Sequence, residues 1–345
     1  MPLLLKDEAL AFPPLMPDHP SWVRLSVPAT SANVGVGFDA LGMAVSLRNT
    51  FWVRLAKAPR FQLLPQAGLT PWGAHHPSAA VLAEVPLNEH LLFSTLASVW
   101  AALGHPPQAL PVLEVVAHVA VPLASGLGSS ACVVVAAAAM AALASSTPLS
   151  LQALLPLVAA QEHHADNVAP ALLGGFRLCP SWQEALPLPW PEAWGLCVLH
   201  PTGGAQSTAA ARAVLPAQYT RPVVAQALAN SAHVVQAVHT ACPHTLCAAL
   251  KADVVHEPFR SALHPHFDTL KNALLGPVAN GLNGVLAVVL SGSGPSVLVI
   301  YQRAQQQHLE TALAPLLLQH PTLHPYWLAL EAEGLTVTPV ASVGA

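Results

Sequence analysis

From Trp22 onward the chain alternates, with apolar Val23, Leu25 and Val27 separated by Arg24 and Ser26, the period of a half-buried strand. Apolar runs at 41–47 and 51–55 predict two further strands, and 28–39 reads as a polar, glycine-bearing loop before them. A helical stripe over 88–103 has Asn88 as its cap and Gly104 as its stop. Alternation at 113–121 predicts a strand running into a glycine-serine turn and an alanine-rich helix from Ser130, with another helix at 149–163. In the second half, strands are predicted at 171–178, 194–199, 285–290 and 297–301, and helices at 222–239, 245–253, 267–274 and 304–317. The stretches 59–86 and 180–191 read as loops, the second proline-rich, and residues 1–20, with five prolines, as an irregular leader. Strands and helices mix irregularly in both halves, which predicts two α+β lobes rather than a doubly wound parallel sheet.

Composition narrows the function classes. Of 345 residues, 53% are hydrophobic and only 9% charged, which excludes general disorder. The longest apolar run, 131–144, is flanked by serines and falls short of the roughly 20 residues of a membrane span. Asp7 and Glu8 stand where a signal peptide keeps its apolar stretch. The formal net charge is −4 and there are four lysines, too few for a basic patch, so neither nucleic acid nor membrane is expected as a partner. Five cysteines without a Cys-x-x-Cys pair fit reduced thiols and a cytoplasmic location. Eighteen histidines scatter through proline- and alanine-rich sequence without metal-ligand spacing.

Three segments carry candidate chemistry. In Pro122-Leu123-Ala124-Ser125-Gly126-Leu127-Gly128-Ser129-Ser130 a predicted strand turns into a helix, so backbone amides and a helix N-terminus converge as an anion cradle. A Walker loop requires a lysine that is absent here. The dinucleotide spacing Gly126-x-Gly128-x-x-Ala131 lacks its acid about 20 residues on, the next being Glu162. A plain capped helix start is the remaining alternative for this segment alone. The other two segments are Ser291-Gly292-Ser293-Gly294-Pro295-Ser296, between apolar strands, and Pro28-Ala29-Thr30-Ser31-Ala32-Asn33 with Gly37-Phe38-Asp39.

Together, in this order, the three segments resemble the motifs of the GHMP small-molecule kinase superfamily. The runs 33–39, 164–175 and 256–260 are similar to those of its homoserine kinase family, and the resemblance spans about 23–301. Departures are Val36 in place of a usual proline, Ser125 in place of a basic residue, and Ala165 where proline is common. The resemblance implies a two-lobed GHMP α+β fold, with a ribosomal S5 domain 2-like N-lobe and a ferredoxin-like C-lobe. Its boundaries would be an ATP-binding domain at 21–165, a C-terminal domain at 166–320 and a closing strand or tail at 321–345. The implied activity is ATP-dependent phosphorylation of the L-homoserine side-chain hydroxyl, in threonine biosynthesis. Another GHMP kinase of the mevalonate, shikimate or sugar type, or a catalytically silent ATP-binding regulator, remains open at this point.

The resemblance also implies site roles. The amides from Ser125 to Ser130 would wrap the phosphates of ATP, with Pro122, Leu123 and Ala124 leading in, and Ser130 with Glu162 would meet Mg²⁺. Asn33 and Asp39 would face the amino and hydroxyl side of homoserine, Arg212 and Arg260 its carboxylate, with Thr208 one helical turn before Arg212. Asn167 stands where some relatives carry an aspartate base; an amide cannot take the proton, so it would orient the hydroxyl. His164 would form a hydrogen-bonding wall of the pocket. A homodimer is expected from the family and from the apolar surface that a low charged fraction leaves.

Overall fold

The computed structural model describes residues 15, 22–64, 85–87, 89–145, 149–202, 207–276 and 284–344. The predicted leader lies outside these residues, except for Leu15, which is buried and donates its amide to the Leu143 carbonyl. Asn88, the expected helix cap, also lies outside; His90 occupies the cap position and its ring accepts from the Leu92 amide.

The first sheet contains β1 (Trp22–Ala32), β2 (Leu41–Leu55), β3 (Arg60–Leu63), β4 (Leu113–His118), β5 (Phe176–Ser181), β6 (Glu184–Leu188) and β11 (Thr336–Val340). Its path is β11-β1-β2-β4-β3, with β5 on β2 and β6 on β5, and every pairing but β3–β4 is antiparallel. A register shift at Pro28/Ala29 bends β1, as expected where a proline interrupts a ladder. Strand β1 therefore extends to Ala32, into the segment expected to be loop. Beyond β4 the chain leaves the sheet, and the buried Asn49 carboxamide oxygen receives the Ala120 and Val121 amides at 2.8 and 2.9 Å. That bond aims the chain at the glycine-serine turn.

Helix α1 (Leu91–Ala102), α2 (Ser129–Ser145), α3 (Leu151–Glu162) and α4 (Val168–Leu173) pack beside this sheet. The alanine-rich run becomes α2, buried over nearly its whole circumference among α1, α3, α4 and β1. Small side chains permit this, because alanine lets neighbouring backbones approach closely on all faces. No helix among the described residues is long and apolar enough to cross a membrane.

The second sheet is antiparallel, β10-β7-β9-β8, from β7 (Trp194–Pro201), β8 (Val285–Leu290), β9 (Val297–Gln302) and β10 (Leu323–Leu328). Both faces are covered, which explains the continuous apolar runs. Leu196, Val198, Leu298 and Ile300 join the main core, while Cys197, Leu199, Val297 and Val299 face Phe267, Leu270, Leu309 and Leu313. The remaining helices are α5 (Thr208–Ala213), α6 (Arg221–Thr240), α7 (Pro243–Leu250), α8 (Glu257–Arg260), α9 (Pro265–Leu275) and α10 (Gln306–Gln319).

Further local expectations change. The runs 41–47 and 51–55, expected as two strands, form the single strand β2, and 60–63, within the stretch expected as loop, is β3. The run 171–178, expected as one strand, is the end of α4 followed by β5, because Gly174 and Gly175 both adopt positive φ and end the helix. The proline-rich 180–191 stretch is largely a hairpin; Pro187 fits because β6 pairs on one side only. The chain end supplies one strand to each sheet, and Arg48 clamps the crossing by donating to the Glu333 and Gly334 carbonyls and pairing with Glu331.

Candidate active site

The three glycine-bearing segments, remote in sequence, meet through backbone bonds. The Thr30 amide donates to Leu127 O, Gly292 N to Ala32 O and Ser296 N to Ser125 O, at 3.1, 3.1 and 3.2 Å. Ser291 Oγ donates to Gly126 O at 2.7 Å. Ala124, Gly126 and Gly128 take φ of 50°, 78° and 65°, folding the turn so that α2 starts at the mouth of a cleft. A side chain on Gly126 would strike the Ser291 and Gly294 carbonyls, and one on Gly128 the Thr30 hydroxyl. The amides of the first turn of α2 have no partners within the helix, so this mouth presents free donors and the positive end of the helix dipole.

The cleft, with a volume of about 130 Å³, is open to solvent. It is lined by Ala124, Ser125, Gly126, Gly128, Ser129 and Ser130 from the turn, and by Asn33, Asp39, Glu162, His164, Asn167, Thr208, Arg212 and Arg260. Of the expected cradle residues, Pro122, Leu123 and Leu127 are not in this lining; Leu127 is fully buried in the core, and the Pro122 carbonyl accepts from Ser125 Oγ within the turn. Asp166, Gly292 and Ser293 line the cleft as well; all three lie in segments the sequence marks, 164–175 and 291–296, but it assigns none of them a role of its own.

Glu162 is the last residue of α3, which stops because His163 turns left-handed at φ 60°. Its carboxylate meets Ser130 Oγ on the first turn of α2 in a short hydrogen bond. His164 follows, with Nδ1 2.7 Å from Asp166 Oδ1 and Nε2 3.9 Å from Glu162 Oε2. Burial works to lower the His164 pKa, but Asp166, Glu162 and Asp39 outweigh it and raise the pKa above its ordinary value. Asn167 precedes α4, and its Oδ1 accepts from Thr30 Oγ1 at 2.7 Å, which leaves Nδ2 for the cleft. Thr30 belongs to the marked segment 28–33, but its sequence position assigns it no role; the bond joins residues 137 positions apart.

At the other end Arg212 makes a two-pronged pair with Asp39, at 2.8 and 3.1 Å. Thr208 and Arg212 share α5, capped by Ser207, whose hydroxyl accepts from the Ala210 amide. Asn33 links two loops: its Nδ2 donates to Gly292 O at 2.8 Å and its Oδ1 accepts from the Asp39 amide at 3.0 Å. Arg260, 2% exposed, donates to the Ala211 and Gly292 carbonyls and has no carboxylate at ion-pair distance among the described residues. Burial, followed by the nearby Arg212, lowers its pKa. The Phe38 ring lies 5.9 Å from the Arg212 guanidinium and 5.4 Å from that of Arg260, easing the approach of two cations.

The cleft thus brings the glycine-serine turn and the start of α2 together with Asp39 and the two guanidinium groups of Arg212 and Arg260. Residues 91–175 match the family described as GHMP kinases N terminal domain. A homoserine kinase of Synechocystis sp. is 35% identical over 325 residues, covering 91% of this chain and 97% of the relative. Another, from Synechococcus sp., is 36% identical over 81% of this chain and 85% of its own length. Among solved structures, the homoserine kinase of Cytophaga hutchinsonii superposes with a TM-score of 0.74 at 26% identity, covering 92% of this chain and 97% of that one. A mevalonate kinase shares the fold, with a TM-score of 0.61 at 10% identity. The two-lobed α+β architecture and the relatives agree, and the chain belongs to the homoserine kinase family of the GHMP kinases.

Proposed function

We propose that this cleft divides the family's reaction among its residues as follows. The protein phosphorylates the side-chain hydroxyl of L-homoserine at the expense of ATP, giving O-phospho-L-homoserine, a step of threonine biosynthesis. Arg260 carries the assignment of the substrate end: a buried guanidinium facing the cleft without a carboxylate partner is an anion site awaiting its anion. With Arg212 it clamps the substrate carboxylate, and Asp39 takes the ammonium. The Asp39–Arg212 pair already present is thereby exchanged for two pairs to one zwitterion, so a substrate lacking either charge would leave one of them unmatched.

At the phosphate end, the amides from Ser125 to Ser130 and the start of α2 hold the triphosphate, doing by backbone and dipole what a lysine does in Walker loops. The adjoining Ser130 hydroxyl and Glu162 carboxylate are oxygen donors that suit Mg²⁺, and would hold it beside the phosphates to offset charge developing in transfer. Two protein ligands, completed by phosphate and water, fit a site in which no cluster of three His, Cys, Asp or Glu occurs among the described residues.

Asn167, with Oδ1 fixed by Thr30, directs its Nδ2 donor at the substrate hydroxyl and holds that oxygen in line. The hydroxyl proton leaves late, to the transferred phosphoryl group or to water, since a loose transition state needs little activation of the nucleophile. The carboxylates of Asp166, Glu162 and Asp39 raise the His164 pKa and so favour its protonated, donating form, and it serves as a hydrogen-bonding wall with Asp166 beside its Nδ1. Thr208 lies on the same turn of α5 as Arg212 and narrows the substrate end. A cytosolic homodimer completes the proposal, supported by free cysteines and by exposed Val224 and Leu228 on α6. Sedimentation as a monomer at micromolar concentration would remove the dimer.

A coupled ADP-release assay across homoserine, mevalonate, shikimate and galactose tests the assignment. Turnover with homoserine alone is expected; preference for an alcohol without the amino-acid head group, or ATP binding without turnover, overturns it.

A further inference from the structure

Behind the substrate end lies a buried imidazole that the reaction does not use. His256, 0% exposed, precedes α8 and reaches two parts of the site at once. Its Nε2 is 2.6 Å from Gly35 O in the loop that carries Asn33 and Asp39, and its Nδ1 is 3.4 Å from the Arg260 guanidinium. A guanidinium can only donate and a carbonyl can only accept, so the contacts fix one form of the ring: neutral, with the proton on Nε2 and the lone pair on Nδ1 turned to Arg260.

The ring itself is held from the backbone side. Asp253 accepts the amides of Val255, His256 and Glu257 at 3.0, 3.0 and 2.7 Å, and Phe38 lies over the imidazole at 5.6 Å between ring centres. Gly35, at φ 67°, leaves no room for a side chain, since a Cβ there would come within 3.0 to 3.1 Å of Val289 and Leu250, so the loop passes His256 as bare backbone. His256 thus stands between the loop bearing the acid and the arginine without an acid partner.

We propose that His256 is a positioning residue that sets the spacing between the ammonium and carboxylate ends of the amino-acid site. The ring's Nδ1 steadies Arg260 and its Nε2–H tethers the loop of Asp39, so that a head group one carbon wide meets both. This rests on the assignment of Arg260 to the substrate carboxylate.

The test compares His256→Leu, His256→Asn, His256→Gln and Arg260→Met in the full-length protein, with L-homoserine and its neutral carboxamide as substrates at saturating ATP. His256→Leu should raise the homoserine KM roughly tenfold, as for a lost hydrogen bond to a charged group, and leave the ATP KM within about twofold. The carboxamide should show no such penalty. Asparagine places an oxygen where Nδ1 stood and should recover most of the homoserine KM; glutamine, which reaches only to the Gly35 carbonyl, should recover less. An equal penalty on both substrates, or glutamine matching or exceeding asparagine, overturns the proposal. If His256→Leu fails to fold, the asparagine–glutamine comparison decides alone. If Arg260→Met itself fails to distinguish homoserine from the carboxamide, the carboxylate assignment falls instead.

Discussion

Replacing Arg260 by methionine separates two quantities that usually move together. The guanidinium is buried, has no carboxylate at ion-pair distance among the described residues, and donates to two backbone carbonyls at 3.1 and 3.4 Å. Its charge therefore costs solvation in the empty protein, offset only in part by Asp39, Asp166 and Asp253, and gains a direct partner when an anion arrives. Arg260→Met removes a desolvated, charge-assisted contact to the substrate carboxylate worth about 3 to 4 kcal/mol. At 1.4 kcal/mol per decade that is roughly a 10²- to 10³-fold rise in the homoserine KM. The ATP KM should change less than about twofold, because the proposed phosphate site is built from the 125–130 amides and not from Arg260. Stability should respond the other way. Losing three hydrogen bonds, one of them to His256 Nδ1, is offset by losing a buried charge, so the melting temperature should stay within about 3 °C of the parent. Homoserine and ATP titrations in the coupled assay, with a thermal melt on the same preparation, read all three. A variant that binds ATP poorly while sparing homoserine, or melts far below the parent with an unchanged homoserine KM, would refute the reasoning.

Other perturbations reach different parts of the molecule. Glu162→Gln removes the negative oxygen beside Ser130, so kcat should fall and the Mg²⁺ needed for half-maximal rate should rise, with the homoserine KM little affected; an unchanged Mg²⁺ titration counts against Glu162 as a ligand. Gly128→Ala puts a side chain against Thr30 at a positive φ and should abolish measurable activity while lowering stability by about 2 kcal/mol or more, read by ATP binding and a melt. Burial pushes the Glu257 carboxyl up to about 7, against the pull of Lys271 and the Leu290 amide, from an ordinary value of 4.5. The folded state then binds the extra proton in that window, so this contribution is full at low pH and lost as pH rises through about 7. Glu257→Gln should flatten the dependence of melting temperature on pH between about 5 and 8, and a curve parallel to the parent's would contradict the assignment.

Residues whose chemistry is local could be read from the sequence. The glycines at 126 and 128 announce a turn that must pass close to other backbone, and the acid-free interval that ends at Glu162 makes that carboxylate conspicuous. The Thr208–Arg212 spacing places both on one helical face before any fold is known, and both line the cleft. Apolar runs at 171–178 and 297–301 look alike in sequence, yet the first is divided between a helix and a strand. There two glycines outweighed hydrophobicity, and period alone does not rank those effects.

Partners brought together only by the fold left no such mark. Thr30 fixes the amide of Asn167, and His256 reaches a carbonyl 221 positions away; neither spacing means anything along the chain. The histidines illustrate why. Eighteen of them in a charge-poor chain looked like composition, but His256, His264 and His266 each place Nε2 within hydrogen-bond distance of a loop carbonyl, of Gly35, Ser293 and Pro295 respectively. Burial lowers the pKa of all three, so these rings act as neutral donors rather than as charges. A chain with 9% charged residues thereby fastens its site loops without adding cations near Arg212 and Arg260, whose field is left for the carboxylate the proposal assigns to them.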